Sequence, residues 1–399
     1  MPISCRVMVL VLALTVLACY ARSAKVLVVG GSGRVGGSAV RALYDLRSAG
    51  NKLDISVGGR NVENWNNLCS RLGRDEISRD VQFKEMDLYK KACLDELIPE
   101  YDLIIHTAGP FQGLSSNTLM EACLKSGKKY IDVCDDVSLS RVCRGSHYQE
   151  MAKENGGSAV ISTGIWPGGS SLLAADLIHQ NGGPANVESC DFNFFTAGSG
   201  NAGPTIITAT FLILGEDVLV YEGGKQTFKK SATDKKSVDF GQDVGEREIV
   251  RLNLIECESC YTSSGIQNVQ TYFGTAPRFW NTLFSYMANV IPQKLLQDRK
   301  AMEKLAIFSM PMIRLIDNFV GSTNSIRVDI TMKDGSSAKR ILTHSDLEKA
   351  VGDAIAAFAV QMLIPDRVPK GVYFPEEVPS KLFREEILQF IKKDCLSSY

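Results

Sequence analysis

The sequence predicts an α/β protein in which a doubly wound parallel sheet is followed by a second, α+β domain with a mixed or antiparallel sheet. Between residues 25 and 165, short apolar runs that suit buried strands alternate with stretches that suit helices. A glycine-rich turn joins the first strand to the first helix, and beyond residue 187 the strand-like runs become longer and the loops wider. A chain of 399 residues also exceeds one usual domain, which supports a division in two.

The turn after the first strand is the most informative segment. Residues 25–29 form an apolar strand, and five of the eight residues 30–37 are glycine. Three of them fit G-x-G-x-x-G, in which the glycines allow a tight turn, close approach to a diphosphate, and packing of helix on strand. A helix and a second strand, residues 53–57, follow, and this βαβ context favours a dinucleotide site over a purely structural turn. The residues expected to hold the diphosphate at the helix start are Gly30, Gly31, Ser32, Gly33, Arg34, Val35 and Gly36.

The end of the second strand selects the dinucleotide. A carboxylate there would accept from a ribose 2′-hydroxyl and repel a 2′-phosphate. The chain instead places Gly59, Arg60 and Asn61 at this point. The small residue leaves room, and a guanidinium pairs with a phosphate through two charge-assisted hydrogen bonds. The sequence therefore predicts NADP(H), with a solvated arginine after a strand as the other interpretation of Arg60.

Strands three and four bring further residues to the same edge of the sheet. Strand three, residues 81–86, ends at Asp87, which either accepts from an adenine amino group or caps the next helix. Strand four, residues 101–107, contains a continuous apolar run and ends at the carboxyl edge, where ligands bind in such folds. The residues expected there against the nicotinamide half are Ala108, Gly109 and Pro110.

Catalytic candidates lie on the same edge but form no recognisable dyad. His106 stands at the mouth end of strand four, where it is either catalytic or a hydrogen-bonded histidine packed at a strand end. Asp135 and Asp136 follow strand five, residues 130–133, and strand six is predicted over residues 159–162. One of them would donate a proton or bind a substrate ammonium, or would cap the following helix. The catalytic acid and base remain open among these three residues.

Composition argues against two kinds of site. The formal net charge is −1 and no long basic run occurs, so nothing indicates nucleic acid as a partner. Cys257 and Cys260 form a lone C-x-x-C without a second pair or a nearby histidine, so no metal site is expected. These two cysteines are either a redox pair or a coincidence.

Several segments of the chain share their residues with one known family. They are the glycine turn 30–37, Gly-Gly-Arg-Asn at 58–61, Ala-Gly-Pro-Phe at 108–111, and the runs 130–136 and 164–168. With them the chain resembles the saccharopine dehydrogenase-like (saccharopine reductase-type) family. Residues 196–205 and 273–277 make it most similar to a plant and algal branch that is often plastid-targeted.

The resemblance covers residues 25 to about 375 and implies an NADP-binding Rossmann domain. It also implies a second α+β domain whose sheet supports a homodimer and closes over a small-molecule substrate, and a late helix that returns to the first domain. The expected divisions are a leader over 1–24, the Rossmann domain over 25–165 with the returning helix 346–363, the substrate and dimerisation domain over 166–345, and a C-terminal tail over 364–399.

Four features of the later chain complete these expectations. A hairpin is predicted between residues 325–331 and 339–343, and Ser345 is expected to cap the returning helix. The glycine-rich loop 196–205 either cradles a carboxylate or is a turn, and Arg278 is either a carboxylate clamp or a surface arginine.

The first 24 residues have the layout of a targeting leader. Residues 1–6 carry one positive charge, and residues 7–20 are uninterrupted apolar or small. This length suits a signal peptide better than a membrane span, and an uncleaved anchor or the start of an organelle-targeting leader are the alternatives. Because an NADP enzyme needs a nucleotide pool, we expect an organelle, a plastid or the endomembrane lumen, with secretion and membrane anchoring as the alternatives. Membrane contact is expected only with an uncleaved leader.

Together these observations predict an NADP(H)-dependent oxidoreductase that resembles saccharopine dehydrogenase. It would transfer a hydride to or from a C=N or C=O bond of a small metabolite. The alternative is a non-catalytic NADP-binding scaffold or sensor at an organelle membrane, which the hydrophobic leader and the missing dyad favour. A redox-regulated enzyme that uses Cys257 and Cys260 is a third hypothesis.

Overall fold

The computed structural model describes residues 23–199 and 203–399. The predicted leader therefore lies outside the described residues except for its last two positions. Three positions of the loop 196–205 lie outside them as well. Within the described residues, no helix is both long and apolar enough to cross a membrane.

Strands and helices largely alternate through the first half of the described residues. In chain order, the strands are β1 (Ala24–Val29), β2 (Leu53–Gly59), β3 (Gln82–Glu85), β4 (Leu103–His106), β5 (Lys129–Asp132), β6 (Ser158–Val160), β7 (Val187–Ala197), β8 (Val218–Glu222), β9 (Lys225–Lys229), β10 (Lys236–Asp239), β11 (Glu246–Arg251), β12 (Asn268–Ala276), β13 (Asn324–Met332), β14 (Ser337–His344), β15 (Gly371–Tyr373) and β16 (Ser397–Ser398). The helices are α1 (Arg34–Ser48), α2 (Val62–Leu72), α3 (Asp75–Asp80), α4 (Lys91–Leu97), α5 (Thr118–Lys125), α6 (Val137–Cys143), α7 (Ser146–Asn155), α8 (Gly169–Gln180), α9 (Pro204–Leu214), α10 (Glu256–Ser264), α11 (Phe279–Val290), α12 (Gln293–Leu296), α13 (Arg299–Val320), α14 (Leu347–Leu363) and α15 (Lys381–Lys392).

The first sheet is parallel and has the order β15-β6-β5-β4-β1-β2-β3. Strands β1 to β6 are the predicted ones, in the order of a Rossmann domain, so this part of the predicted fold class is confirmed. The chain reverses its direction of travel across the sheet between β1 and β4. A crevice therefore opens at the carboxyl ends of these two strands, where a dinucleotide binds in such sheets.

The centre of this sheet is buried on both faces because its strands are apolar throughout. Residues 26–29 of β1 and 103–105 of β4 are at most 2% exposed. Helix α14 follows the second sheet and packs on α1 of the first domain. A Cβ on Gly352 of α14 would lie 2.3 Å from Ser38 Oγ of α1, so the glycine permits this close packing.

The predicted cap of α14 is wrong by one residue. The Asp346 carboxylate, and not the Ser345 hydroxyl, accepts from the Lys349 backbone N–H at 2.9 Å. The Ser345 carbonyl instead accepts from the Ser322 hydroxyl at 2.7 Å. A carboxylate at a helix start also interacts favourably with the helix dipole.

The second domain contains a mixed sheet with the order β10-β11-β12-β7-β13-β14-β16, and β8 and β9 pair beside β12. Only β12 and β7 pair in parallel along this path, and the other pairs are antiparallel. The predicted mixed sheet is therefore confirmed. The predicted hairpin is present as β13 and β14, with Ser325 opposite Thr343 and Asp329 opposite Lys339.

Residues 364–399, expected as a tail, instead join both sheets. Strand β15 pairs with β6, where Val372 lies beside Ala159, and β16 pairs with β14, where Ser397 lies opposite Thr343. Helix α15, between these two strands, packs against α14 and α8. The end of the chain therefore covers an edge of each sheet and connects the domains.

Candidate functional site

A cavity of about 1270 Å³ lies between the carboxyl ends of the first sheet and the second domain. Pockets for one small ligand usually have about 300–1,000 Å³, so this cavity has room for a cofactor and a substrate. We call its lining residues from 29–135 and 347–351 the cofactor wall, and its lining residues from 164–303 the substrate wall.

The turn between β1 and α1 forms one end of the cofactor wall. Gly30 has a φ of +80°, a left-handed conformation that glycine adopts without strain. Helix α1 then begins after Gly33, its N-cap residue. The N–H groups of its first turn have no partner within the helix and are available to an anion. The predicted turn residues that line the cavity are Gly30, Ser32, Gly33, Arg34 and Val35.

Two of the predicted cofactor contacts lie behind the turn instead. Gly31 and Gly36 are not among the residues that line the cavity. A Cβ on Gly36 would lie 2.3 Å from the Gly30 carbonyl oxygen and 2.5 Å from Thr107 Oγ1. A Cβ on Gly31 would lie 2.8 Å from a methyl group of Val57. These glycines therefore let the turn and α1 close against the sheet, and their effect on the cofactor is indirect.

The end of β2 provides the charge that the sequence predicted. Arg60 follows β2 directly, is exposed, and lines the cavity beside Gly59. Asn61 also lines the cavity, but its side-chain oxygen accepts from the Glu63 N–H at 2.7 Å and caps α2. Since no carboxylate stands at this strand end, the site fits a 2′-phosphate better than a 2′-hydroxyl.

Asp87 lines the cavity without capping a helix. Its carboxylate accepts from the Tyr89 N–H at 3.1 Å, and the next helix, α4, begins only at Lys91. The capping interpretation of this residue is therefore wrong. That Asp87 accepts a hydrogen bond from the adenine amino group stays a prediction.

The loop after β4 lies beside the glycine turn. The Thr107 hydroxyl donates to the Val29 carbonyl of β1 at 2.9 Å, which fixes the start of this loop. Its predicted contact residues, Ala108, Gly109 and Pro110, all line the cavity. They are followed by Phe111, which is buried.

His106 belongs to a buried hydrogen-bond network. Its Nδ1 lies 2.9 Å from the Tyr130 hydroxyl, which donates to Asp132 at 3.0 Å. Because that hydroxyl proton goes to Asp132, the His106 Nδ1 carries the proton of the contact. Burial lowers the pKa of His106 to about 4, so the ring is neutral at physiological pH and a poor proton donor. His106 also lines the cavity, but its hydrogen bond to Tyr130 and its lowered pKa favour the packed-histidine interpretation.

Asp132 connects the loops at the mouth of the sheet. Its carboxylate accepts from the backbone N–H groups of Ser162 at 2.8 Å and Cys134 at 3.1 Å. Burial raises the pKa of Asp132 to about 6, although these hydrogen bonds act in the opposite direction. The side chain thus joins the end of β5 to the end of β6 and fixes the residues that follow both strands.

The two neighbouring aspartates after β5 have separate places. Asp136 is buried and caps α6, because its carboxylate accepts from the Leu139 N–H at 2.5 Å. Asp135 lines the cavity, and its carboxylate accepts from the Gln112 side-chain amide at 2.8 Å. Burial, with the nearby Asp136 charge, raises the pKa of Asp135 to about 6. Of the pair, Asp135 is placed to exchange a proton with a ligand.

The structure also places in the cavity a buried carboxyl that sequence reasoning missed. Glu256 stands at the start of α10, is 2% exposed, and lines the substrate wall. The Ser170 hydroxyl, from the start of α8, donates to it at 2.8 Å. Burial raises the pKa of Glu256 to about 7. The available signal was an acid that directly follows the apolar pair Leu254 and Ile255.

The rest of the substrate wall is largely apolar. Trp166, after β6, stacks against Phe194 of β7 and Phe273 of β12, with ring centroids 4.9 and 5.7 Å apart. Trp166 and Phe273 both line the cavity. Within the described part of the loop 196–205, the Ser199 N–H donates to Asp317 at 2.7 Å, which anchors the loop to α13.

Two further candidates lie elsewhere. Arg278 does not line the cavity, is 77% exposed and pairs with Glu248 at 2.5 Å, so it is a surface arginine and no carboxylate clamp. Cys257 and Cys260 are buried free thiols of α10. The Cys257 thiol donates to the Val269 carbonyl at 3.2 Å.

Comparison with known proteins identifies the cofactor. Residues 26–160 match the family model described as the saccharopine dehydrogenase NADP binding domain. This part of the chain is an NADP-binding domain, and the cofactor is NADP(H). The available N–H groups at the start of α1 and the guanidinium after β2 fit its diphosphate and its 2′-phosphate.

Curated relatives match only part of the chain. The mouse saccharopine dehydrogenase-like oxidoreductase is 26% identical over 170 residues, which are 40% of this chain and 37% of the mouse protein. The cattle protein of the same name is 26% identical over 198 residues, 47% of this chain and 43% of that protein. The matched region therefore spans less than half of the length of these relatives.

A solved structure extends the likeness in fold to both domains. The apo saccharopine dehydrogenase (L-Glu forming) from Saccharomyces cerevisiae superposes with a TM-score of 0.59 over 94% of this chain and 99% of that chain. The sequence identity is 13%, so this likeness concerns the fold alone.

Proposed function

We propose that this protein is an NADP(H)-dependent oxidoreductase that reduces, or forms by oxidation, a C=O or C=N bond of a small metabolite. The observation that carries the proposal is a carboxyl group with a raised pKa, Asp135, in the same cavity as the NADP-binding turn. The bound cofactor supplies or accepts the hydride. The protein must position the acceptor and exchange the proton.

Asp135 is the proposed proton donor. Gln112 donates to one carboxylate oxygen, which orients the group and leaves the other oxygen available to the substrate. In reduction, a protonated Asp135 donates to the oxygen or nitrogen of the reacting bond. Its protonated fraction falls as the pH rises through about 6, so the rate of reduction should fall above that pH. Oxidation needs the carboxylate form of Asp135, so the rate of oxidation should rise as the pH rises through about 6.

A cofactor-oxidation screen tests this proposal. The full chain is mixed with NADPH and a panel of aldehydes, ketones and preformed imines, and the loss of NADPH absorbance is followed. Deuterium at both C4 positions of NADPH then reveals hydride transfer from either face of the ring, because the reduced product gains one mass unit. Tight NADPH binding without oxidation across the panel would contradict the proposal.

The alternative function, an NADP-binding scaffold at an organelle membrane, is favoured by the surface of α13. This helix exposes an apolar face that includes Phe308, 84% exposed, and Phe319, 83% exposed. Ile307, Met312 and Leu315 are exposed as well. Lone exposed apolar side chains are common, whereas a contiguous stripe marks an interaction site. Lys300 and Lys304 begin the same helix, a combination that suits a membrane-surface helix.

Vesicle flotation tests the scaffold alternative. The scaffold alternative predicts that the protein floats with vesicles of phosphatidylcholine and phosphatidylglycerol, and that the double variant Phe308→Asp/Phe319→Asp does not. Phe228→Asp is the matched control, since Phe228 is an exposed phenylalanine of β9 on a different element. Flotation without NADPH oxidation would support the scaffold, and failure of the native protein to float would rule it out.

A further inference from the structure

The cations of the cavity are all placed away from the reacting bond or already paired. Among the described lining residues the cations are Arg34, Arg60 and Arg299. Arg34 begins α1 and pairs with Glu348 at 3.2 Å, and Arg60 follows β2. Arg299 pairs with Glu303 at 3.2 Å. The three positions outside the described part of the loop 196–205 are glycine, asparagine and alanine, which carry no charge.

The opposite end of the cavity combines acids with an apolar surface. The loops after β4 and β5 and the substrate wall meet there, with the two carboxyl groups of Asp135 and Glu256. Around them stand apolar side chains that line the same cavity. They are Phe111, Leu114, Trp166, Ile207, Leu254 and Phe273. The stack of Trp166 on Phe273 offers a flat aromatic surface to a ligand.

From this arrangement we infer that the substrate is an apolar aldehyde, ketone or imine without a carboxylate or phosphate group. The inference rests on the proposed function and narrows its substrate class. A substrate carboxylate beside the reacting bond would lose its hydration, face two acids, and find no unpaired cation. An alkyl or aromatic substituent would instead bury apolar surface against the stacked rings. Amino acids and oxo acids are therefore expected to be poorer substrates than the matching neutral compounds.

The reduction of such a ketone balances without a further reactant. The carbonyl carbon accepts a hydride from NADPH, and the electron pair of the C=O π bond moves to oxygen. That oxygen takes the proton of Asp135 and becomes the alcohol. NADPH leaves as NADP⁺, and the Asp135 carboxylate regains a proton from water.

Matched pairs of substrates test the inference. The kcat/KM values are compared at saturating NADPH for phenylacetone against phenylpyruvate, and for 2-hexanone against 2-oxohexanoate. Within each pair the neutral ketone should be preferred by at least about tenfold, because an unpaired buried charge is costly. Equal values, or a preference for the oxo acid, would overturn the inference.

A binding measurement separates this inference from the proposed function. Calorimetry on the NADP⁺-loaded protein compares 1-phenylpropan-2-ol with 3-phenyllactate. If no compound turns over but the alcohol binds at least about tenfold more tightly, the substrate class stands and the oxidoreductase assignment fails. If the acid binds equally well or better, or if neither binds, the inference is overturned.

Substitutions at Leu254 and Glu256 test whether these two side chains cause the preference for the neutral ketone over the oxo acid. Leu254→Arg adds a cation to the substrate wall and should lower the ratio of kcat/KM for the ketone to kcat/KM for the oxo acid by about tenfold. Leu254→Met should leave this ratio at its native value. At pH 8, where most of the Glu256 carboxyl is ionised, Glu256→Gln removes a negative charge and should narrow the preference for the neutral ketone in a protein of nearly unchanged shape. If thermal unfolding shows both Glu256→Gln and Leu254→Arg to be folded and neither changes the ratio, the inference is wrong.

Discussion

The two walls of the cavity are built in different ways. The cofactor wall consists mainly of turns that follow strands of one sheet, so most of its lining residues are close in sequence, as are Gly30, Ser32, Gly33, Arg34 and Val35. The substrate wall brings together side chains from separate segments. Ser170 and Glu256 are 86 residues apart, and Trp166, which follows β6 of the first sheet, stacks on Phe273 of β12 in the second sheet. The comparison shows that local sequence sets most of the cofactor wall, whereas the substrate wall forms only when distant segments pack together.

The largest effect is expected at Asp135, where the two walls meet. Asp135→Asn cannot exchange the proton and should lower kcat by about 10²- to 10⁴-fold, while NADPH affinity stays unchanged. The measurement is steady-state kinetics beside an NADPH titration. Asp136→Asn is the matched control, because asparagine also caps helices and should preserve α6 and the activity. If the Asp136→Asn variant had a lowered kcat and the Asp135→Asn variant were fully active, Asp136 and not Asp135 would be the proton donor.

A change just behind the cofactor wall should act through the fold. Gly36→Ala forces a methyl group to within 2.3 Å of the Gly30 carbonyl. We expect it to lower the free energy of unfolding by about 3 kcal/mol and to weaken NADPH binding. Gly33→Ala is the control, since its methyl group would come no closer than 3.2 Å to the Gly30 carbonyl.

Gly36→Ala should therefore lose both stability and NADPH affinity, whereas Gly33→Ala should lose mainly NADPH affinity. Chemical denaturation and NADPH titration of both proteins measure the difference. Gly33→Ala should keep most of the stability and lose cofactor affinity, because that residue lines the cavity. Equal losses of stability in both variants would show that Gly36 has no special packing role.

In the substrate wall, the buried carboxyl of Glu256 should lower the free energy of unfolding as the pH rises. The pKa of Glu256 is raised in the folded protein, from an ordinary 4.5 to about 7. Below pH 4.5 both states are protonated, and between pH 4.5 and 7 only the unfolded state ionises, so stability is lost as the pH rises. Glu256→Gln should remove this loss and be more stable at pH 8 by about 2–3 kcal/mol, with little difference at pH 4.

Denaturant unfolding at both pH values measures this change. Glu96→Gln, at an exposed carboxylate of α4, is the control and should leave the pH dependence as it is. If the Glu256→Gln variant showed the same pH dependence as the native protein, the carboxyl would not be buried as described.

The smallest effect is expected for Arg60, at the outer end of the cofactor wall. Arg60→Ala should weaken NADPH binding by about 2 kcal/mol, roughly thirtyfold, because a charge-assisted pair with the 2′-phosphate is lost. NADH has no such phosphate, and its affinity should not change. Titration of the native protein and the variant with both nucleotides measures this difference. Equal affinity of the native protein for NADPH and NADH would contradict the role of Arg60.

The sequence predicted most of the first domain because the determining interactions are local. Buried parallel strands are apolar on both faces, and a glycine turn needs residues only a few positions apart, so β1 to β6 and the cavity-lining part of residues 30–36 were recognisable. The same reasoning placed Gly31 and Gly36 in the ligand site, since a sequence motif does not distinguish a contact from a residue packed behind it. Likewise, the two interpretations of Asp135 and Asp136 were equal until the Leu139 N–H was seen to bond Asp136.

The sequence by itself thus determined the positions of the strands of the first domain, the glycine turn and the charge after β2. Only the tertiary structure decided that residues 364–399 contribute to both sheets, that His106 is held in a buried network, and that Glu256 faces the cavity. The physical reason is sequence separation. A three-residue strand such as β15 has little pattern of its own and forms because β6 offers an edge. A carboxyl such as Glu256 acquires its raised pKa only when distant segments exclude water from it.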